Sequence, residues 1–175
     1  MDYVAFLRGI NSGKNPTVRM EVLREIFRGL GLTRVRTVLA SGNVLFAAEG
    51  TDEGALARSV HAALPGAIGF ESAVFVRTLD DLRRLVASDP FRDANIPPGA
   101  ARYVTFVASD APRALPPNGK GYTIIGAFDG ILCSIVDLSQ TSTPSLMRVL
   151  DRTFPGNTTR SWDTIAGTLR LATRT

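Results

Sequence analysis

Arg8, Asn11 and Lys14 stand three residues apart in the stretch FLRGINSGKN, residues 6–15, with Asn11 and Ser12 set between Gly9 and Gly13. Side chains of these types, gathered around glycines after an apolar run, suit an anion. Guanidinium and ammonium groups pair with phosphate, sulfate or carboxylate, and amides and hydroxyls donate to the remaining oxygens. The spacing does not make a nucleotide P-loop. Such a loop needs four residues between its first Gly and the Gly-Lys pair, and then a Ser or Thr for magnesium. Here three residues separate Gly9 from Gly13, Asn15 replaces the hydroxyl and Pro16 follows. The spacing is also wrong for GxGxxG. The plainer reading is that the two glycines turn the chain from a strand toward a helix.

Other candidate groups are isolated. Cys133 alternates with Ile131 and Ile135, as a buried, inert thiol would. His61 follows Val60 beside Arg58, with no acidic neighbour in helical phase, and reads as a surface residue. With one His and one Cys, a zinc site of nitrogen and sulfur ligands would need carboxylates or a second chain, so no metal is expected, and no cofactor motif stands out either. Asp80 and Asp81 suit a helix start. Trp162 heads an apolar stripe and reads as core. Arg160 is placed at a helix start, where the dipole disfavours a cation, which points to a carboxylate partner, a ligand or a cation–π contact.

The elements that must position these groups follow from the pattern. Asp2–Arg8 is an apolar run of strand length. Met20, Leu23, Phe27 and Leu30 make one helical stripe, with Gly31 at its stop. Thr33–Leu39 alternates, with Arg34 and Arg36 on one face and Val35, Thr37 and Leu39 on the other, and reads as an edge strand. Residues 40–42 turn the chain into a partner strand from Asn43 to Ala47. Thr51 is a candidate cap for a second helix carrying Leu56, Val60 and Leu64, ended by Pro65-Gly66. Glu71–Val76 reads as a strand. The order β-α-β-β-α-β is that of a complete ferredoxin-like unit.

The second half repeats the theme incompletely. Thr78 to Asp81 resembles a capping box opening a helix to about Ala87. Ala101–Ala108 is a strand. The proline-rich stretch DAPRALPPNGK (110–120) forms a loop where a helix would otherwise stand. Gly121–Phe128 and Ile131–Val136 form a hairpin around Asp129-Gly130. A helix starts at Thr143-Pro144, and a last one opens near Ser161 with Trp162, Ile165 and Leu169 on one stripe. The expected fold class is α+β, with a ferredoxin-like half at 1–78 and a second α+β half with a C-terminal helix at 79–175. The two are expected to pack as one globular body.

In the ferredoxin-like order the first and third strands lie side by side, antiparallel. The end of the first then meets the start of the third, so Arg8 and Asn11 should approach Ser41, Gly42 and Asn43. The first helix should begin nearby, with free N–H groups that favour an anion. The alternative is that Asn11 and Asn43 only hydrogen-bond the two turns.

Three segments, in order, resemble a known bacterial family: FLRGIN at 6–11, LASGNVLF at 39–46 and NTTRSWDT at 157–164. They are similar to the RGIN, QSGN and TTRNWNT-like segments of domain-of-unknown-function family 1697. The matching positions are Arg8, Gly9, Ile10, Asn11, Ser41, Gly42, Asn43, Thr158, Thr159, Arg160 and Trp162. The resemblance implies an α+β fold of ferredoxin-like halves and no established activity, so it carries over no catalytic residues. The first loop is one Gly shorter than the family's, Arg19-Met20 replaces its Pro-Met, and Ser161 and Asp163 stand where it has Asn.

Composition bounds the function. Hydrophobic residues are 45% and charged residues 21% of 175, the balance of a chain that buries a core. No apolar run approaches the roughly 20 residues of a membrane span, and the N-terminus does not read as a signal or transit peptide. A single cysteine suits the cytoplasm. The net charge of +4 permits anionic partners. The leading reading is a cytoplasmic module binding an anionic small molecule or phosphate group through Arg8, Asn11, Lys14, Ser41 and Asn43, with Arg160 as a further candidate. The alternatives are an enzyme using the same cleft, or a weak, sequence-independent nucleic-acid or protein-interaction module. RNA readout of the RRM type does not fit, because Tyr3 and Phe6 fall on opposite strand faces and residues 43–47 lack the aromatic spacing.

Overall fold

The computed structural model describes residues 1–50, 52–111, 114–128 and 130–173. They carry two four-stranded antiparallel sheets and five helices. They form two compact units, one made of Met1–Arg83 with the chain from Thr168 on, the other of Arg84–Gly167.

In the first unit the order is β1 (Asp2–Leu7), α1 (Met20–Gly29), β2 (Thr33–Val38), β3 (Asn43–Ala47), α2 (Glu53–Ile68) and β4 (Val74–Thr78). The sheet runs β2-β3-β1-β4, so β2 is at an edge and β1 is central. β1 pairs with β3 from Asp2 opposite Ala47 to Phe6 opposite Asn43. One face of β1 presents Tyr3, Ala5 and Leu7 to a core shared with Leu23 and Phe27 of α1 and with Val60 and Leu64 of α2. Phe46 joins the layers, stacked on Tyr3 at 5.5 Å and edge-on to Phe27 at 5.3 Å. Burying each such side chain stabilises the fold by roughly 1.5–3 kcal/mol. Tyr3 and Phe6 have no exposed surface.

Several local expectations need correction. The alternation in β2 breaks at a bulge between Thr33 and Arg36, where Arg34 adopts a φ of 51° and its guanidinium pairs with Asp2. Leu39 lies beyond the strand at a φ of 59° and is exposed rather than inward-facing. α2 does not end at Pro65-Gly66. A proline in a last turn forfeits one hydrogen bond, and the helix runs on to Gly69, whose left-handed backbone closes it by donating to the Pro65 carbonyl. Thr51 lies outside the described residues. Asp52 caps α2, its carboxylate accepting the Ala55 N–H at 3.0 Å. The fourth strand starts at Val74, not Glu71.

The second unit contains the second half of α3 (Leu79–Ser88), then β5 (Ala101–Phe106), β6 (Tyr122–Phe128), β7 (Ile131–Val136), α4 (Thr143–Thr153), β8 (Thr158–Ser161) and the start of α5 (Trp162–Ala172). Its sheet runs β6-β7-β5-β8. Between β5 and β6 no helix forms among the described residues, and Asp129, Pro112 and Arg113 lie outside them. Thr78 caps α3, its hydroxyl accepting the Asp81 N–H at 3.0 Å and donating to the Asp81 carboxylate at 2.5 Å. Leu132 and Val136 pack on Leu146, Leu150 and Phe154. β8 was not expected, and it changes the place of Arg160. Arg160 stands on this strand, opposite Val104 of β5, rather than at a helix start. Cys133 is buried, which pushes its thiol up to about 12.

Ser134 is fully buried, and its hydroxyl has no hydrogen-bond partner among the described residues. A buried polar group left unpaired costs about 1–3 kcal/mol. Ser134→Ala should therefore raise the unfolding free energy by about 1 kcal/mol in urea denaturation. An unchanged or lower value would mean that the hydroxyl is satisfied in solution.

Candidate functional site

The last residues of β1 feed the glycine-bracketed loop, and the backbone there is tied from two sides. The Leu7 N–H donates to the Gly42 carbonyl at 2.8 Å, and the Arg8 N–H to the Ala73 carbonyl at 2.9 Å. The buried Ser72 hydroxyl donates to the Arg8 carbonyl at 2.8 Å. Beyond Arg8 the chain reverses with positive φ at Gly9, Asn11 and Gly13. Asn tolerates this backbone because its short amide can bond locally, and here it bonds fully. Asn11 Nδ2 donates to the Ala40 carbonyl at 2.9 Å and the Val18 carbonyl at 3.0 Å, and Oδ1 accepts the Val18 N–H at 2.8 Å. One side chain thus joins the loop after β1, the entry to α1 and the turn before β3.

The second turn is fitted to the first. Gly42 has a φ of 76°, and a Cβ there would lie 2.8 Å from Ile10 Cγ1 and 3.0 Å from the Leu7 carbonyl oxygen. Ile10 is buried. Asn43 has no exposed surface, and its Nδ2 donates to the Val38 carbonyl and to Ser41 Oγ, both at 3.0 Å. The two turns therefore meet, through Leu7 and Ile10 at Gly42 and through Asn11 at Ala40. The amide groups of Asn11 and Asn43 turn inward to hold the two turns, while Ser12, Lys14 and Ser41 are exposed and Arg8 is half-buried. α1 begins two residues after Val18, and no side chain caps it at Arg19.

Arg160 belongs to the second unit, where its Nη1 donates to Thr158 Oγ1 and to the Thr159 carbonyl, each at 2.9 Å. Burial pulls its guanidinium down to about 10. Trp162 stands edge-on to Phe91 at 5.1 Å.

Val18 and Ser72 complete the knot around the first loop, and sequence reading missed both. Val18 lies seven residues from Asn11 in an unpatterned loop. Ser72 lies 64 residues from Arg8, and no local motif marks it. His61 has an acidic neighbour after all, Glu71, at 3.3 Å from Nε2, because the loop after α2 folds back on the helix. Its Nδ1 meets the Ser72 carbonyl at 2.8 Å. This Glu–His–Ser sequence of contacts does not activate a nucleophile, since the Ser72 hydroxyl donates elsewhere and the imidazole faces the carbonyl.

A separate group of titratable side chains lies where α2 and α3 begin. Glu53 Oε1 accepts the Thr78 N–H at 2.7 Å, and Oε2 lies 3.6 Å from Arg77 Nη1. Burial raises the Glu53 carboxyl above the usual carboxylate range, and the Asp81 carboxyl raises it further, against the lowering by Thr78 and Arg77. Among the described residues no group of three or more His, Cys, Asp or Glu could hold a metal ion, and no helix is long and apolar enough to cross a membrane.

A family model described as a protein of unknown function, DUF1697, matches residues 1–116. The chain belongs to this family. The match takes in both turns of the corner and stops short of NTTRSWDT at 157–164. Among solved structures, the conserved bacterial protein SP0830 from Streptococcus pneumoniae has a similar fold. Its TM-score is 0.68 at 18% sequence identity, covering 96% of this chain and 97% of that one. No curated protein matches.

Two outcomes follow for this member of the family. Gly42→Ala adds a Cβ where Ile10 and Leu7 already stand, at a φ that disfavours any side chain. It should lower stability by at least about 2 kcal/mol in chemical denaturation, and a near-neutral effect would show that the turns are not packed this closely. Glu53→Gln keeps the acceptor for Thr78 but removes the ionisation. A carboxyl whose value is raised on folding holds its proton more tightly in the folded chain, so its stabilisation is complete below the usual range and lost as pH rises through the raised value. The wild-type melting temperature should fall relative to that of Glu53→Gln as pH rises above the usual carboxylate range of about 4. Parallel curves would contradict the raised value.

Proposed function

We propose that this protein binds an anionic small molecule or a phosphate group at the corner where the loop after β1 meets the turn before β3. The observation that carries this reading is the way Asn11 gathers the corner. Its amide holds Val18, just ahead of the uncapped start of α1, and Ala40, just ahead of Ser41. Open N–H groups of a helix start favour an anion. The exposed Lys14 and Ser41 and the half-buried Arg8 supply a charge and further donors around it. In this reading Asn11 and Asn43 contribute by fixing the turns rather than by touching the ligand. A frame already held by internal hydrogen bonds loses little freedom on binding, which favours affinity from few contacts.

The reading carries with it the finer description of the fold. The order β2-β3-β1-β4 with two crossing helices supports a ferredoxin-like unit over 1–78, and β6-β7-β5-β8 supports an incomplete one over 79–175. A single buried cysteine suits work in the cytoplasm.

The test is a titration with inorganic phosphate and pyrophosphate, followed by amide NMR signals. The signals of residues 8–14, 20–22 and 41 should shift in the wild type. Lys14→Ala should abolish the shifts while changing the melting temperature little, since an exposed lysine contributes little to stability. Absence of any shift in these signals, or an equal response in Lys14→Ala, would overturn the assignment.

A further inference from the structure

The second unit contains a half-open cavity of about 300 Å³, at the small end of the roughly 300–1,000 Å³ usual for ligand sites. It lies on the edge strand β6, between the 94–97 loop and the segment that follows β7. Tyr122, Thr123 and Ile125 of β6 line it, with Ile135 of β7 and then Asp137 and Gln140. Its walls are firmly built. The Asp137 N–H donates to the Gly121 carbonyl at 2.8 Å. Gly121 has a φ of 76°, and a Cβ there would lie 2.9 Å from Gln140 Cβ and Thr141 Cγ2. The register of β6 shifts between Ile124 and Gly126, a bulge at the position of Ile125. Bulges on edge strands re-aim side chains and recur beside sites.

Among the described residues lining this cavity, Asp137 is the one charged at neutral pH. Its carboxylate is preorganised. Oδ1 accepts the Ser139 N–H at 3.0 Å and the Ser139 hydroxyl at 2.6 Å, and Oδ2 accepts Gln140 Nε2 at 2.6 Å. These bonds hold its carboxyl below the usual range, so it stays an acceptor through the physiological range. A carboxylate offers about four lone-pair positions, and these three donors leave one on Oδ2. The apolar surface of Ile125, Ile135 and Pro97 lies in the same cavity.

We infer that this cavity is a second binding site, distinct in chemistry from the anion corner. It takes a small ligand with an apolar body and an amino or hydroxyl donor directed at Asp137. An anion is disfavoured there, because the single fixed charge has the wrong sign and no cation lines the cavity among the described residues.

Benzylamine, benzyl alcohol and benzoate share one ring and differ in the polar group, so they probe the inference directly. Titrated into the full chain, benzylamine should shift the amide signals of Gly121, Thr123, Ser139 and Gln140, benzyl alcohol should do so more weakly, and benzoate should leave them unmoved. Asp137→Asn should weaken benzylamine by at least about tenfold, the low end for a hydrogen bond to a charged group. Because Asp137 also braces the turn after β7, a second variant is needed. Thr123→Lys, on the exposed edge strand, sets an ammonium at the rim without touching that turn, and should abolish the benzylamine response. Silence from all three probes, a benzoate response equal to that of benzylamine, or unchanged binding in Thr123→Lys would each overturn the inference.

Discussion

The first unit depends on the Asn11 side chain, which bonds at once to the chain ahead of α1 and to the turn ahead of β3. The loop it sits in has no regular structure of its own, so its backbone groups need partners from elsewhere or from water. Asn11 supplies three such bonds from one residue and accepts a left-handed backbone to do so. A residue with a bulkier or apolar side chain would meet the backbone cost without returning the hydrogen bonds. Gly42 answers it from the other side, because only the absence of a Cβ lets that turn close over Ile10.

This arrangement exists because β1 and β3 are antiparallel neighbours in the middle of the sheet. Their pairing brings Phe6 opposite Asn43, so whatever follows β1 must pack on whatever precedes β3. The aromatic layer of Tyr3, Phe46 and Phe27 holds that pairing from below. The corner is thus a consequence of topology and core, and the polar side chains refine it. The two asparagines work inside the fold, which leaves the cations and hydroxyls at its rim as the groups that meet solvent.

Much of this was legible in the sequence, because the relevant signals are local. Alternation and helical stripes marked the order of the first six elements, and the order marked β1 and β3 as neighbours. The turn segments around Asn11 and Gly42 stood out by their glycines and amides. What escaped was non-local or conditional. Ser72 reaches Arg8 across 64 residues, and no pattern in its own segment records the contact. β8 is four residues long and polar, and it is a strand only because β5 offers it an edge. Arg160 was therefore assigned to a helix start it does not occupy. Leu39 lies one residue past the end of β2, where a left-handed backbone leaves it exposed, and strand alternation does not record where a strand stops. The cavity beside Asp137 has no motif at all. It arises from a bulge, a loop and a capped turn brought together by the sheet.

The central claim is that Asn11 locks the loop, and hydrogen exchange at the Val18 amide tests it most directly. Val18 lies outside every helix and strand, and its N–H donates to Asn11 Oδ1 at 2.8 Å. If the lock holds as described, this loop amide exchanges only on larger opening of the unit, with protection approaching that of the central β1 amides. Exchange as fast as that of an exposed loop amide would show that the side chain does not hold the corner, and the account built on it would fail.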